Sequence, residues 1–140
     1  MLIILNKMNN STINNNVLSQ KIAGILALLL GLMSVFAGSK VLLEIDSKDY
    51  NVLIWLVSYN VIFGVISIVV AYFIWKNYSK AKSLTLFVLA MHFMVFMYLK
   101  FVSETAASES IKAMLFRTSV WILIVVLSLI FPKYLNKINL

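Results

Sequence analysis

Four long stretches without a charged side chain dominate this chain of 140 residues. They cover residues 22–39, 50–75, 83–99 and 118–132. Each is close to the about 20 residues that an α-helix needs to cross a hydrocarbon core of about 30 Å. We therefore predict an all-α polytopic membrane protein built as a four-helix transmembrane bundle. The predicted helices lie near residues 22–43, 52–75, 83–102 and 111–131.

Composition supports this class over a soluble domain, because 62% of the residues are hydrophobic and only 12% are charged. Segments of alternating polarity, which would indicate a membrane β-barrel, are absent from the sequence. Residues 1–20 are rich in asparagine and predict a polar, disordered N-terminal lead. The transmembrane domain is expected over 21–134, with a short tail over 135–140.

The charged residues divide between the two ends of the predicted bundle. The tails and the second connector hold seven lysines and no acid: Lys7, Lys21, Lys76, Lys80, Lys82, Lys133 and Lys137. The first and third connectors hold four lysines and all five acids: Lys40, Lys48, Lys100, Lys112, Glu44, Asp46, Asp49, Glu104 and Glu109. By the positive-inside rule both termini are cytoplasmic, and the protein is expected in the cell inner (cytoplasmic) membrane as a multi-pass protein.

The first helix has an alternative interpretation as a signal sequence. Residues 35–37 (Val-Phe-Ala) fit the small-residue pattern that precedes a cleavage site. The apolar run is long for a signal peptide, however, and it continues to Leu43. An uncleaved transmembrane helix is therefore the favoured prediction.

Two helices carry rows of small residues that predict close helix packing. On the first helix the row alternates spacings of three and four: Gly24, Ala27, Gly31, Ser34 and Gly38. The second helix has a shorter row that begins at Asn60 and continues through Gly64, Ser67 and Ala71. Small residues let helix backbones approach in lipid, so the two rows are expected to face each other. The alternative is a homodimer through the first row.

Polar groups at membrane depth are the candidate functional residues. Asn60, Ser34 and Arg117 are predicted in the outer half of the bundle and His92 near its middle, whereas the inner half is nearly pure hydrocarbon. Arg117 costs about 2.5–3.5 kcal/mol at a helix centre, and less nearer the interface. Its side chain either extends outward to the acidic connectors, or it joins Asn60 in binding an anionic or carbonyl-bearing ligand such as a lipid headgroup or a quinone.

Other polar and soft side chains have mainly structural interpretations. His92 is expected to be a buried imidazole bonded to a neighbouring helix, because no carboxylate at its depth would support proton relay and no second histidine would complete a haem site. Met91, Met94 and Met97 predict packing, with a copper site as the alternative. Trp121 could stack on Arg117 but is expected to fill space. No cofactor or metal is predicted.

Several function classes are excluded by missing residue types. The chain has no cysteine, which excludes disulfides and thiol chemistry. No acid lies within a predicted span, so the carboxylate that proton-coupled antiport requires is lacking. No set of nucleophile, base and acid indicates catalytic residues, so the protein is not expected to be an enzyme. The lysines are spread over the helix ends and do not predict nucleic-acid binding.

The chain resembles small bacterial membrane proteins with four spans, a group without an assigned activity. The similar segments are residues 21–25 (KIAGI), 38–43 (GSKVLL), 49–50 (DY), 52–53 (VL), 55–57 (WLV), 59–61 (YNV), 64 (G), 75–76 (WK), 112–114 (KAM) and 117 (R). The resemblance implies no activity, but it marks Tyr59, Asn60 and Arg117 as positions to test. The DoxX-like group is similar in size and number of spans, which is an analogy of architecture only.

The first functional hypothesis is a non-enzymatic accessory or scaffold subunit whose partners are the lipid bilayer and another membrane protein or a second copy of the chain. The alternative is a lipid- or quinone-binding protein that uses Tyr59, Asn60, His92 and Arg117. An oligomeric transporter of small solutes is favoured least, because no membrane carboxylate is present.

Overall fold

A computed structural model shows a helical bundle and describes the backbone of residues 1–138, with side chains for residue 1 and for 15–134. The helices are α1 (Leu2–Leu42), α2 (Ile54–Trp75), α3 (Ala81–Phe101), α4 (Ser108–Val125) and α5 (Phe131–Ile138). A π-helical turn, Val126–Ile130, joins α4 to α5. No strand occurs over 1–138, and four helical segments are long and apolar enough to cross a membrane. The predicted all-α class and the four predicted long apolar helices are confirmed.

The N-terminal segment differs from the prediction of a disordered lead over 1–20. Helix α1 begins at Leu2 instead of near residue 22 and continues without a break into the first span. The asparagines of this segment have low helix propensity, which is why the sequence favours disorder. No proline or glycine interrupts 2–20, and adding residues to an existing helix costs far less than starting one.

The last helix also continues further than predicted, because it passes through the only proline, Pro132. A proline inside an α-helix removes one hydrogen bond and clashes with the carbonyl four residues before it, here that of Ser128. The π-helical turn lies directly before Pro132 and widens the backbone there. Of the predicted tail, residues 135–138 belong to α5, and 139–140 lie outside the described residues.

Helix packing divides the bundle into two close pairs, α1 with α2 and α3 with α4, which then contact each other through α1–α4 and α2–α3. The connectors 43–53 and 102–107 lie at one end, called the acidic end below because it carries the acids. The connector 76–80 lies at the opposite end, called the basic end.

The interior is apolar, and so is much of the surface. Trp121, Val70 and Val88 are fully buried in the main core. Exposed apolar side chains cover the outside of the helices, including Met33 and Phe36 on α1, each 65% exposed. A soluble protein would not leave such surfaces open to water, so this distribution supports a multi-pass membrane protein.

The glycines of α1 and α2 bring the two backbones into close contact. A Cβ added to Gly31 would lie 2.7 Å from the carbonyl oxygen of Gly64, and one added to Gly38 would lie 2.5 Å from Val61 Cγ2. Among the other members of the two rows, Ala27, Ser34, Ser67 and Ala71 are buried, and Asn60 is half-buried. The two small-residue rows therefore lie against each other, and α2 covers the face of α1 that a homodimer would have used.

Candidate functional site: a cavity at the acidic end

A cavity of about 230 Å³ opens at the acidic end between α1, α2 and α4. Its lining comes from the end of α1, the first connector, the start of α2 and the first half of α4: Ala37, Gly38, Val41, Lys48, Tyr50, Val52, Leu53, Leu56, Val57, Asn60, Glu109, Ser110, Ala113, Met114 and Arg117. We call it the acidic-end cavity. It brings together Asn60 and Arg117, two of the four predicted site residues.

Arg117 is half-buried in the cavity wall on α4. Its Nε donates a hydrogen bond of 3.3 Å to Ser34 Oγ on α1, which links two of the polar groups predicted in the same half of the bundle. No acid in the described part of the chain forms an ion pair with it. The predicted extension to the acidic connectors is therefore not made, and the guanidinium reaches the cavity without a protein counter-charge. The alternative considered for Trp121, stacking on Arg117, is absent from the described cation–π contacts, and Trp121 is fully buried as expected for a residue that fills space.

Asn60 lies on α2, also in the cavity lining. Its carbonyl oxygen, Oδ1, is buried and has no hydrogen-bond partner in the structure. A buried polar atom without a partner costs about 1–3 kcal/mol, so such atoms usually mark the place of a water or a ligand.

Two charged side chains stand at the mouth of the cavity. Lys48 donates a hydrogen bond of 2.7 Å to Asp46 Oδ2, and this bond raises the pKa of Lys48 above its ordinary value. The charge of Lys48 is thereby kept and locally neutralised by Asp46. Glu109, in the first turn of α4, forms no ion pair within the described residues.

The cavity is partly open, and its lining includes exposed positions on α1 and α4. Two small residues in its lining, Ala37 on α1 and Ala113 on α4, are themselves exposed. Both side chains are small, so they fill little of the space between the two helices at this level of the lining. Arg117 lines the same cavity as these exposed positions.

Tyr59 and His92, the other two predicted site residues, pair with each other away from the cavity lining. His92 is 3% exposed, and its Nδ1 lies 3.2 Å from Tyr59 Oη and 3.0 Å from the carbonyl oxygen of Val88. Nδ1 donates to Val88 when it carries hydrogen and accepts from Tyr59 when it does not, so one tautomer makes only one of the two bonds. His92 is thus a buried imidazole in contact with a neighbouring helix, the structural role favoured above.

Aromatic rings enclose the imidazole. The ring centroids of Phe63 and Trp121 lie 5.6 Å and 6.1 Å from that of His92. Trp121 is fully buried, and its Nε1 has no hydrogen-bond partner in the structure. Phe63 and Trp121 belong to the main core, and none of these rings lines a described cavity.

The basic half of the bundle holds more polar groups than the sequence indicated. The buried hydroxyls of Ser67, Thr85 and Ser128 lie there. Each donates to the carbonyl oxygen four residues earlier in its own helix, at 2.6, 2.7 and 2.6 Å. The expectation of a nearly pure hydrocarbon half was therefore wrong. The bonds satisfy the three hydroxyls within their own helical segments.

Metal binding finds no support among the described residues, where no group of three His, Asp or Glu side chains is placed to hold an ion. Met94, one of three methionines considered for copper, is exposed in a surface groove with Trp55 and Tyr98. Met97 packs partly buried against the cluster of Leu56 and Phe96. Met94 and Met97 therefore lie in different surroundings.

The residues at the mouth of the cavity were not predicted as site residues from the sequence. The N-terminus of α4 was predicted near residue 111 and lies at Ser108, which makes Glu109 and Ser110 helical and places both in the lining. Lys48 and Tyr50 were assigned only to a connector. Spacing along the sequence carries no signal for a loop that folds back over a helix end.

Comparison of the chain with protein-family models, curated proteins and solved structures finds no match. The functional proposal therefore depends on the geometry of the acidic-end cavity.

Proposed function

We propose that this chain is a non-enzymatic integral membrane protein that binds the anionic group of an amphiphile, such as a lipid headgroup, in its acidic-end cavity. Arg117 supplies the positive charge, and Asn60 supplies a polar amide beside it. Both termini and the basic end face the cytoplasm, so the cavity lies in the outer leaflet of the cytoplasmic membrane. The lysine distribution supports this orientation.

The observation that carries the proposal is the unneutralised guanidinium of Arg117 in an open cavity. An arginine within the bilayer costs up to about 2.5–3.5 kcal/mol, while a side-chain hydrogen bond between membrane helices contributes only about 0.6 kcal/mol on average. The long bond to Ser34 therefore does not offset the cost of placing Arg117 there. A bound anion would, because charge-assisted bonds are the strong ones.

The size and opening of the cavity favour an amphiphile over a fully enclosed ligand. Sites that enclose a small molecule usually have volumes of about 300–1,000 Å³. The acidic-end cavity has about 230 Å³, enough for a headgroup but not for acyl chains. The exposed alanines Ala37 and Ala113 leave a lateral gap through which the chains of a lipid could extend into the bilayer.

A quinone is supported less well by the same features. Its carbonyl oxygen could accept a hydrogen bond from Arg117, but it would leave the positive charge without a counter-charge. The anionic group is therefore the better match.

Native mass spectrometry of the full chain purified in mild detergent tests the proposal. The wild type is expected to retain a phospholipid, and Arg117→Gln is expected to lose it. Lys112→Gln is the matched control, because Lys112 is exposed on the same helix and does not line the cavity. Circular dichroism establishes that each variant keeps its helices.

The opposite result would favour the accessory-subunit hypothesis. Retention of the lipid by Arg117→Gln contradicts the proposal. If the same variant also loses a membrane protein that co-purifies with the wild type, then Arg117 serves a protein partner instead of a lipid.

A further inference from the structure

The acidic-end cavity is lined by charges of both signs. Arg117 lies on α4, and Glu109 lies eight positions earlier on the same helix, at the mouth. Eight residues correspond to a rise of about 12 Å along the helix axis. Side chains on a helix all tilt toward its N-terminus, so both charged groups shift in the same direction and the separation stays close to this rise.

Neither of these charges is neutralised within the described part of the chain. The only ion pair found there joins Lys48 and Asp46, at 2.7 Å. That pair accounts for the second cation in the lining. The remaining charges are one half-buried positive group, Arg117, and one exposed negative group, Glu109.

From this arrangement we infer that the ligand is a zwitterion with a primary ammonium group. The inference rests on the proposed function and extends it. The phosphate or carboxylate of the ligand binds Arg117, and its ammonium lies toward Glu109. An ethanolamine phospholipid headgroup has this chemistry, and so does a free amino-acid-like molecule.

The opposite charges of Arg117 and Glu109 within the cavity make a purely anionic headgroup a poorer ligand. A phosphate without an attached cation would leave Glu109 without a counter-charge and would add negative charge to a cavity that already holds this carboxylate. A primary ammonium offers three hydrogen-bond donors and no acceptor, which suits the carboxylate. Glu109 also stabilises the first turn of α4, so fold and binding must be measured separately.

The test compares two lipids that share acyl chains, phosphatidylethanolamine and phosphatidylglycerol, by native mass spectrometry of the full chain. The wild type is expected to bind the ethanolamine lipid about tenfold more tightly, a ratio typical of one charge-assisted bond. Glu109→Gln is expected to abolish this preference. Glu104→Gln is the control, because Glu104 is exposed at the same end and does not line the cavity.

The outcomes separate this inference from the proposed function. Equal binding of both lipids by the wild type contradicts the inference that the ligand is a zwitterion. An unchanged preference in Glu109→Gln contradicts it as well. If Arg117→Gln still loses both lipids in that case, the anion site stands without it. If Arg117→Gln loses neither lipid, the result contradicts both the zwitterion inference and the proposed anion site.

A competition assay identifies the source of the zwitterion. Displacement of phosphatidylethanolamine by free phosphoethanolamine assigns the cavity to a water-soluble ligand. Failure of displacement at saturating concentration assigns it to the lipid itself. Both results support the inferred ligand chemistry, whereas displacement by inorganic phosphate to the same extent would contradict it.

Discussion

Gly31 and Gly64 pack against each other reciprocally at the crossing of α1 and α2. A Cβ on Gly31 would lie 2.7 Å from the carbonyl oxygen of Gly64, and a Cβ on Gly64 would lie 2.9 Å from that of Gly31. Both neighbours are backbone atoms, which cannot turn away as a flexible side chain can. Ser34 follows about one turn after Gly31 on α1 and accepts the hydrogen bond from Arg117, which lines the acidic-end cavity.

Gly31→Ala is expected to destabilise the bundle by about 1–3 kcal/mol, because the added methyl group forces the two backbones apart. Thermal unfolding in detergent measures the effect. Gly24→Ala is the matched control on the same helix, since its Cβ would meet Ala71 at an ordinary 3.4 Å. Equal unfolding temperatures for the two variants would show that the close crossing does not hold the pair together.

Tyr59→Phe is expected to cost only about 0.6 kcal/mol, the average for a side-chain hydrogen bond between membrane helices. The loss is small because Nδ1 of His92 can still donate to the carbonyl of Val88. Lipid retention is expected to be unchanged, since Tyr59 does not line the acidic-end cavity. Loss of the lipid from Tyr59→Phe would place the binding site at the histidine instead.

The proposed orientation is testable by cysteine labelling, because the chain contains no cysteine of its own. Ser47→Cys lies in an exposed connector at the acidic end and Ser79→Cys in the exposed connector at the basic end. A membrane-impermeant maleimide should label Ser47→Cys in intact cells. It should label Ser79→Cys only after the membrane is opened. The reverse pattern would place the cavity in the cytoplasmic leaflet.

Ala113→Leu is expected to reduce lipid retention, because the larger side chain projects into the lateral gap between α1 and α4. Ala90→Leu makes the same change at an exposed position on α3 outside the cavity lining. Native mass spectrometry should show a lower lipid-bound fraction for the first variant alone. Unchanged retention in Ala113→Leu would indicate that the ligand enters elsewhere.

The number and positions of the four spans could be predicted from the sequence, because a helix in lipid needs a long uncharged segment and these segments are unmistakable. Helices α2 and α3 begin and end within about two residues of the predicted bounds. The small-residue rows predicted which faces of α1 and α2 meet. These features depend only on local sequence and on helix period.

The pairing of polar groups could not be predicted, because it depends on how the helices are arranged around the bundle. Asn60 and Tyr59 are neighbours on α2, yet Asn60 lines the cavity and Tyr59 contacts His92. One residue on a helix turns the side chain by about 100°, so adjacent residues face different helices. Sequence alone does not say which helix lies on which side.

The continuation of the last helix through Pro132 could also not be predicted from the sequence. A proline normally predicts a helix end, and only the π-helical turn of residues 126–130 allows continuation. A single widened turn has no reliable signature in the sequence, because its stability comes from the surrounding packing.

An experimental structure in a lipid nanodisc, at a resolution that shows side chains, tests the account most directly. The expected result is a headgroup-sized, non-protein density between α1, α2 and α4, within hydrogen-bonding distance of the guanidinium of Arg117. A guanidinium paired with Glu109 or another acid of the chain, with no such density beside it, would contradict the account.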